Sequence, residues 1–136
     1  MSTIKRFEDL DVWKMARDLC KMIFALYSKS EAFSRDFKLR DQLNGSSGSV
    51  MDNIAEGFCR GNRNEFINFL SYSEGSVGEV KSQLYRALDR LYISNEDFNS
   101  AYALSDQVGA KIGSFINYLN NSTFRGYKFH NRTKTN

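Results

Sequence analysis

A chain of 136 residues, 41% apolar and 14% aromatic, has enough hydrophobic surface for one core and too little length for two domains of ordinary size. It carries a net charge of +3 and no proline, so only glycine, capping residues and lost periodicity can end a helix, and the class expected is all-α. No apolar run approaches the roughly 20 residues of a bilayer span, and Met1-Ser2-Thr3-Ile4-Lys5-Arg6 lacks the apolar centre of a signal peptide, which argues against a membrane role and for a cytoplasmic protein.

The first predicted helix covers about residues 9–29. Val12, Trp13, Ala16, Leu19, Cys20, Ile23, Phe24 and Tyr27 recur at steps that place them on one stripe, and Asp9, Asp11 and Lys29 sit where the helix dipole favours them. The second runs from Ser34, read as its N-cap, through Leu39, Leu43, Ser46, Val50 and Ile54. It crosses Asn44-Gly45-Ser46-Ser47-Gly48-Ser49, where two glycines and three serines cost on the order of 3 kcal/mol against alanine. The apolar stripe keeps its phase across that stretch, and small side chains let helix backbones approach closely, so a continuous helix is expected. A Gly/Ser linker joining two shorter helices is the alternative. Gly57 and Gly61 are candidate stops.

Asn62, with Glu65 three residues on, reads as the cap of a third helix. Phe66, Leu70, Ser73, Val77, Val80, Leu84, Ala87 and Leu91 then alternate steps of four and three, a heptad seam that predicts packing at about 20° against neighbours within or between chains. Ser94 with Asp97 opens a fourth helix, and Phe98, Tyr102, Ser105, Val108, Ile112, Phe115 and Leu119 carry it to about residue 121. Short connections between four helices imply an antiparallel up-down-up-down four-helix bundle over residues 1–121. Residues 122–136 have no period and are expected to form a basic, largely disordered tail.

Positive charge is concentrated at the ends. Residues 1–6 carry two basic groups and residues 122–136 four, with no acid in either, leaving 13 basic against 16 acidic groups between them. Such tails serve solubility or act as arms toward phosphate backbones, and Arg125, Lys128 and Arg132 are the tail candidates for contact. Cys20 and Cys59 have no CxxC spacing and read as reduced thiols.

An enzyme is not expected. The single histidine, His130, lies in the tail, and the chain has no phosphate loop, no HExxH, no Cys/His metal spacing and no Glu-x-x-His pair of a di-iron bundle, so neither metal nor cofactor is implied. Glu56, Glu65, Glu74 and Glu79 each have an ordinary structural role on a helix. Asn53 and Glu56 border the stripe at Ile54 and require hydrogen bonds, inside the subunit or across an interface. Tyr72, Val77 and the stretch from Gly45 to Gly48 are the other candidate interface positions, because each helix of one subunit buries only one stripe.

Phe7-Glu8-Asp9-Leu10-Asp11-Val12-Trp13, Gln42-Leu43, Asn53-Ile54-Ala55-Glu56-Gly57, Glu65-Phe66 with Phe69-Leu70, and Gly75-Ser76 followed by Glu79 together carry a resemblance over about residues 7–121. The chain resembles the four-helix-bundle proteins encoded in intervening sequences of bacterial 23S rRNA genes, a family that also includes the accessory protein of diversity-generating retroelements. The resemblance implies antiparallel four-helix subunits in a ring-like homopentamer, RNA or DNA binding, and no enzymatic activity. Family members commonly have basic residues directly after the Gln-Leu pair, where this chain has Asn44 and Gly45.

Basic candidates outside the tails are therefore Arg35, Lys38 and Arg40, then Arg60 and Arg63, then Lys81, Arg86 and Arg90. Two readings stand. In one, a homo-oligomer binds nucleic acid through phosphates, with no aromatic stacking platform outside the tail and hence little reading of bases. In the other, a ring-forming scaffold binds another protein, such as a reverse transcriptase. Basic residues gathered on one face favour the first, and scatter favours the second.

Overall fold

A computed structural model describes residues 4–122. A 3-10 turn at Phe7–Asp9 precedes helices α1 (Asp11–Lys29), α2 (Glu31–Arg35), α3 (Phe37–Cys59), α4 (Arg63–Asp89) and α5 (Asn95–Asn121). Among the described residues there is no strand, and no helix is long and apolar enough to cross a membrane. The disorder expected for the tail concerns residues that, beyond Ser122, lie outside those described.

The stripe of α1 buries Val12, Ala16, Leu19 and Ile23, with Trp13 and Tyr27 half-buried beside them. Phe24 departs from the expectation: it is 60% exposed, and Leu26 takes the core position. The step of three from Ile23 to Leu26 stays on the buried face, whereas Phe24 is rotated about 100° from Ile23.

The second predicted helix is α3, which starts at Phe37 rather than after Ser34 and is preceded by the separate short helix α2, so Ser34 is not its cap. Ser30 accepts a hydrogen bond from the Phe33 N–H at 3.1 Å and starts α2; Asp36 accepts from the Leu39 N–H at 3.1 Å and starts α3. Ser34 instead donates its hydroxyl proton to the Tyr27 carbonyl. What holds the break is Phe33, fully buried and stacked on Tyr92 at 5.3 Å between ring centres.

Through the Gly/Ser stretch α3 is unbroken, which rules out the linker alternative. Its serines and glycines divide by face. Ser46 and Ser47 are buried, Ser46 donating to Gln83 Oε1 across to α4 at 2.6 Å and Ser47 to the Leu43 carbonyl at 2.8 Å. From the opposite side Ser73 donates to the Val50 carbonyl at 2.8 Å. Gly45 and Gly48 do not make this approach, for a Cβ built on either meets nothing within 4 Å.

Gly57 is not a stop. It lies inside α3, where a Cβ would stand 2.6 Å from the Cβ of Phe69 and 3.0 Å from the Phe66 ring. The chain turns at Gly61, whose φ of 72° suits glycine, and Asn62 caps α4 by accepting from the Glu65 N–H at 3.0 Å.

The seam of α4 is buried from Phe66 to Ala87, but Leu91 leaves it, 88% exposed. Leu91 has a φ of 62° and closes α4 in a Schellman turn, with the Tyr92 N–H bonded to the Ala87 carbonyl at 3.0 Å and its own N–H to that of Leu88 at 2.9 Å. Ser94 caps α5 as expected, at 3.0 Å from the Asp97 N–H. Helix α3 packs on α4, α4 on α5, and α1 on both α3 and α5.

Candidate nucleic-acid interface

The eight basic candidates outside the tail are spread along α2, α3 and α4, and all but Lys38 already have a partner among the described residues; Arg35 pairs with Glu31 at 2.9 Å. Arg40 donates to Asp41 at 3.1 Å and to the Ser34 carbonyl at 3.2 Å, with its guanidinium 4.8 Å from the Phe37 ring centre. Arg60 pairs with Glu56 at 2.8 Å and Glu65 at 3.6 Å and lies over Phe69. Arg63 donates to the Ser122 carbonyl at 2.8 Å, tying the start of α4 to the end of α5. Lys81 pairs with Asp106 at 2.5 Å, Arg86 donates to Gln42 Oε1 at 2.9 Å, and Arg90 pairs with Asp36 at 2.7 Å.

These contacts set local proton affinities. Its hydrogen bond to Glu56 raises the pKa of Arg60, and the one to Asp106 raises that of Lys81. Asp36 is held below the ordinary carboxylate value, first by the Leu39 N–H and then by the Tyr92 hydroxyl and Arg90. Arg125, Lys128 and Arg132 lie outside the described residues.

The expected interface residues separate. Asn53 donates to the Ser49 carbonyl of its own helix at 2.9 Å, and Glu56 is taken by Arg60 one turn on, so both are satisfied within the chain. Val77 is a core residue, 4% exposed, at the floor of an open groove of about 270 Å³ between α4 and α5, which Gly78, Lys81, Asp106 and Gly109 also line. Tyr72 remains on the surface at 57% exposure, in edge contact with Phe69 at 5.4 Å.

Cations not singled out in the sequence occupy α1. Lys14, Arg17 and Lys21 are exposed, and none has a carboxylate within ion-pair distance among the described residues; Arg17 lies 5.9 Å from the Trp13 ring centre. The signal was their spacing of three and four, which sets them on one face.

The residues behind the resemblance have structural roles here. Phe7 meets Trp13 edge-on at 5.1 Å, Gln42 holds Arg86, and Gly57 admits Phe69. Residues 8–114 match the family of 23S rRNA-intervening sequence proteins. The chain belongs to that family. A crystal structure of a protein with unknown function from the S23 ribosomal protein family of Bacteroides thetaiotaomicron VPI-5482 superposes with a TM-score of 0.72 at 24% identity, over 77% of this chain and 97% of that one. At that identity the likeness shows a shared fold. No curated protein matches the chain. In this member of the intervening-sequence proteins, then, most of the singled-out cations of α3 and α4 have partners, Lys38 being the exception, while Lys14, Arg17 and Lys21 on α1 have no ion pair among the described residues.

Proposed function

We propose that this protein is a non-enzymatic, cytoplasmic homo-oligomer, pentameric as the resemblance implies, that binds nucleic acid through its phosphates. Each subunit is then an antiparallel up-down-up-down bundle of α1, α3, α4 and α5. Contacts between opposite helix ends support that topology: Lys29 with Asp97, Asp36 with Arg90, and Arg63 with Ser122.

The observation that carries assembly is the set Gly45, Gly48, Gly75 and Gly78, helix-interior glycines whose absent side chains meet nothing within 4 Å. Each costs a helix about 1 kcal/mol against alanine, and none of that is returned by packing among the described residues. A second chain at those faces supplies the reason. A ring also repeats a modest charge around one polyanion, and the family's name places its genes in an rRNA context.

Light scattering at micromolar concentration, combined with RNA and DNA oligonucleotide titrations over a range of salt, tests the proposal. The expected result is a multiple of the monomer mass and an affinity that falls linearly with salt on logarithmic axes, less steeply once residues 122–136 are deleted. A monomer mass, or no binding at low salt, refutes the corresponding half. The partnered state of Arg40, Arg60, Lys81 and Arg90 favours the second reading, a ring that scaffolds another protein such as a reverse transcriptase. Binding to that protein without nucleic acid selects it.

A further inference from the structure

Building on the nucleic-acid reading, we infer that the contact surface is the outer face of α1 and that its ligand is a single strand. Lys14, Arg17, Lys21 and Phe24 follow one another at steps of three, four and three, a row about 15 Å long on one side of the helix. Among the described residues the three cations have no ion pair to surrender, unlike Arg40, Arg60, Lys81 and Arg90, so a phosphate meets them without displacing a carboxylate there. The acidic groups nearest the row in sequence are Asp11 and Asp18 on α1. Among the described residues neither comes within ion-pair distance of it.

Phe24 decides between strand forms. Its ring is 60% exposed, and Tyr27 holds it edge-on at 5.5 Å, while the Tyr27 hydroxyl donates to Asn44 Oδ1 at 3.2 Å. An oriented aromatic ring at the end of a row of free cations matches how single strands are bound, with the backbone along the charges and a base stacked on the ring. A duplex keeps its bases stacked on each other and has none to offer. An anionic membrane fits less well, because Val12, Ala16, Leu19, Ile23 and Leu26 are buried in the core and Phe24 alone would insert. The aromatic platform that the sequence does not lead one to expect outside the tail is therefore on α1.

The test uses full-length protein and a labelled oligo(U), with fluorescence anisotropy read over a salt series. Replacing Lys14, Arg17 and Lys21 together by Gln is expected to weaken binding at least tenfold at low salt and to reduce the logarithmic salt slope by about 2, near 0.7 for each phosphate that is no longer neutralised. Phe24→Ala is expected to weaken binding roughly tenfold at unchanged slope, the effect of removing one stacked base. A control with Arg35, Lys38 and Lys111 replaced by Gln changes net charge equally and is expected to have a much smaller effect.

Equal weakening in the two triple variants overturns the assignment to α1. An unaffected Phe24→Ala variant, or tighter binding of an RNA duplex, overturns the single strand. Phosphatidylserine vesicles captured through Phe24, with no oligo(U) binding, identify a lipid surface instead. Failure of the wild-type protein to bind any nucleic acid at low salt removes the function proposed above, a result distinct from failure of the α1 assignment alone.

Discussion

Gly57 and Gly45 stand on the same helix, and only one has its missing side chain explained inside the chain. At Gly57 a Cβ would enter the space of the Phe69 Cβ, an atom fixed to the α4 backbone; at Gly45, as at Gly48, Gly75 and Gly78, it would enter open space. Small residues in a helix thus have two origins here. Gly57, with Ser46 and Ser73, serves the contact of α3 with α4, and its value is realised in a single subunit. The outward glycines weaken their helices with no such return, which makes them the sensitive probes of assembly.

The largest effect expected from breaking this contrast is at the inner site. Gly57→Ala forces the Phe69 Cβ and its backbone apart and is expected to destabilise the protein by about 2–3 kcal/mol, read from the midpoint of urea unfolding. A midpoint unchanged from wild type would mean that α3 and α4 are not packed so closely.

Asp36→Ala is expected to be next, at roughly 1–2 kcal/mol, because it removes the cap of α3 together with partners of Arg90 and Tyr92. The Asp36 carboxyl is held below its ordinary value, so its contribution is complete above the unfolded pKa of about 4 and is lost as pH falls through the lower folded value. The stability gap between wild type and variant should therefore narrow on acidification and be constant near neutrality.

At the outer sites, Gly45→Ala combined with Gly75→Ala is expected to lower the mass seen by light scattering while circular dichroism shows no loss of helix. A gain of about 1 kcal/mol per site with assembly unchanged would show that these glycines face solvent in the functional protein. The smallest effect is at Leu91, whose left-handed backbone disfavours a side chain. Leu91→Gly is expected to raise stability by about 0.5–1 kcal/mol in thermal melts.

Much of the helical fold is legible in the sequence because the signals are local. The apolar repeats of α1, α4 and α5, and the caps at Asn62 and Ser94, depend on residues three and four apart. The α2–α3 break is hidden because two capping patterns overlap there, and the choice between them rests on Phe33 finding Tyr92. The candidate site is less legible still. Most cations that stand out by charge alone are partnered in the fold, and the α1 row, without ion pairs among the described residues, is inconspicuous within an amphipathic helix.

By itself the sequence determined that the chain is helical, where α4 and α5 begin, and which stripes are apolar, since each follows from relations within one or two helical turns. Tertiary structure alone decided which cations are free and which glycines are contacts. Arg90 reaches Asp36 across 54 positions and Arg86 reaches Gln42 across 44, and Gly57 meets Phe69 on the next helix. Charge neutralisation and steric contact act through distances of a few ångströms in space, whatever the separation along the chain.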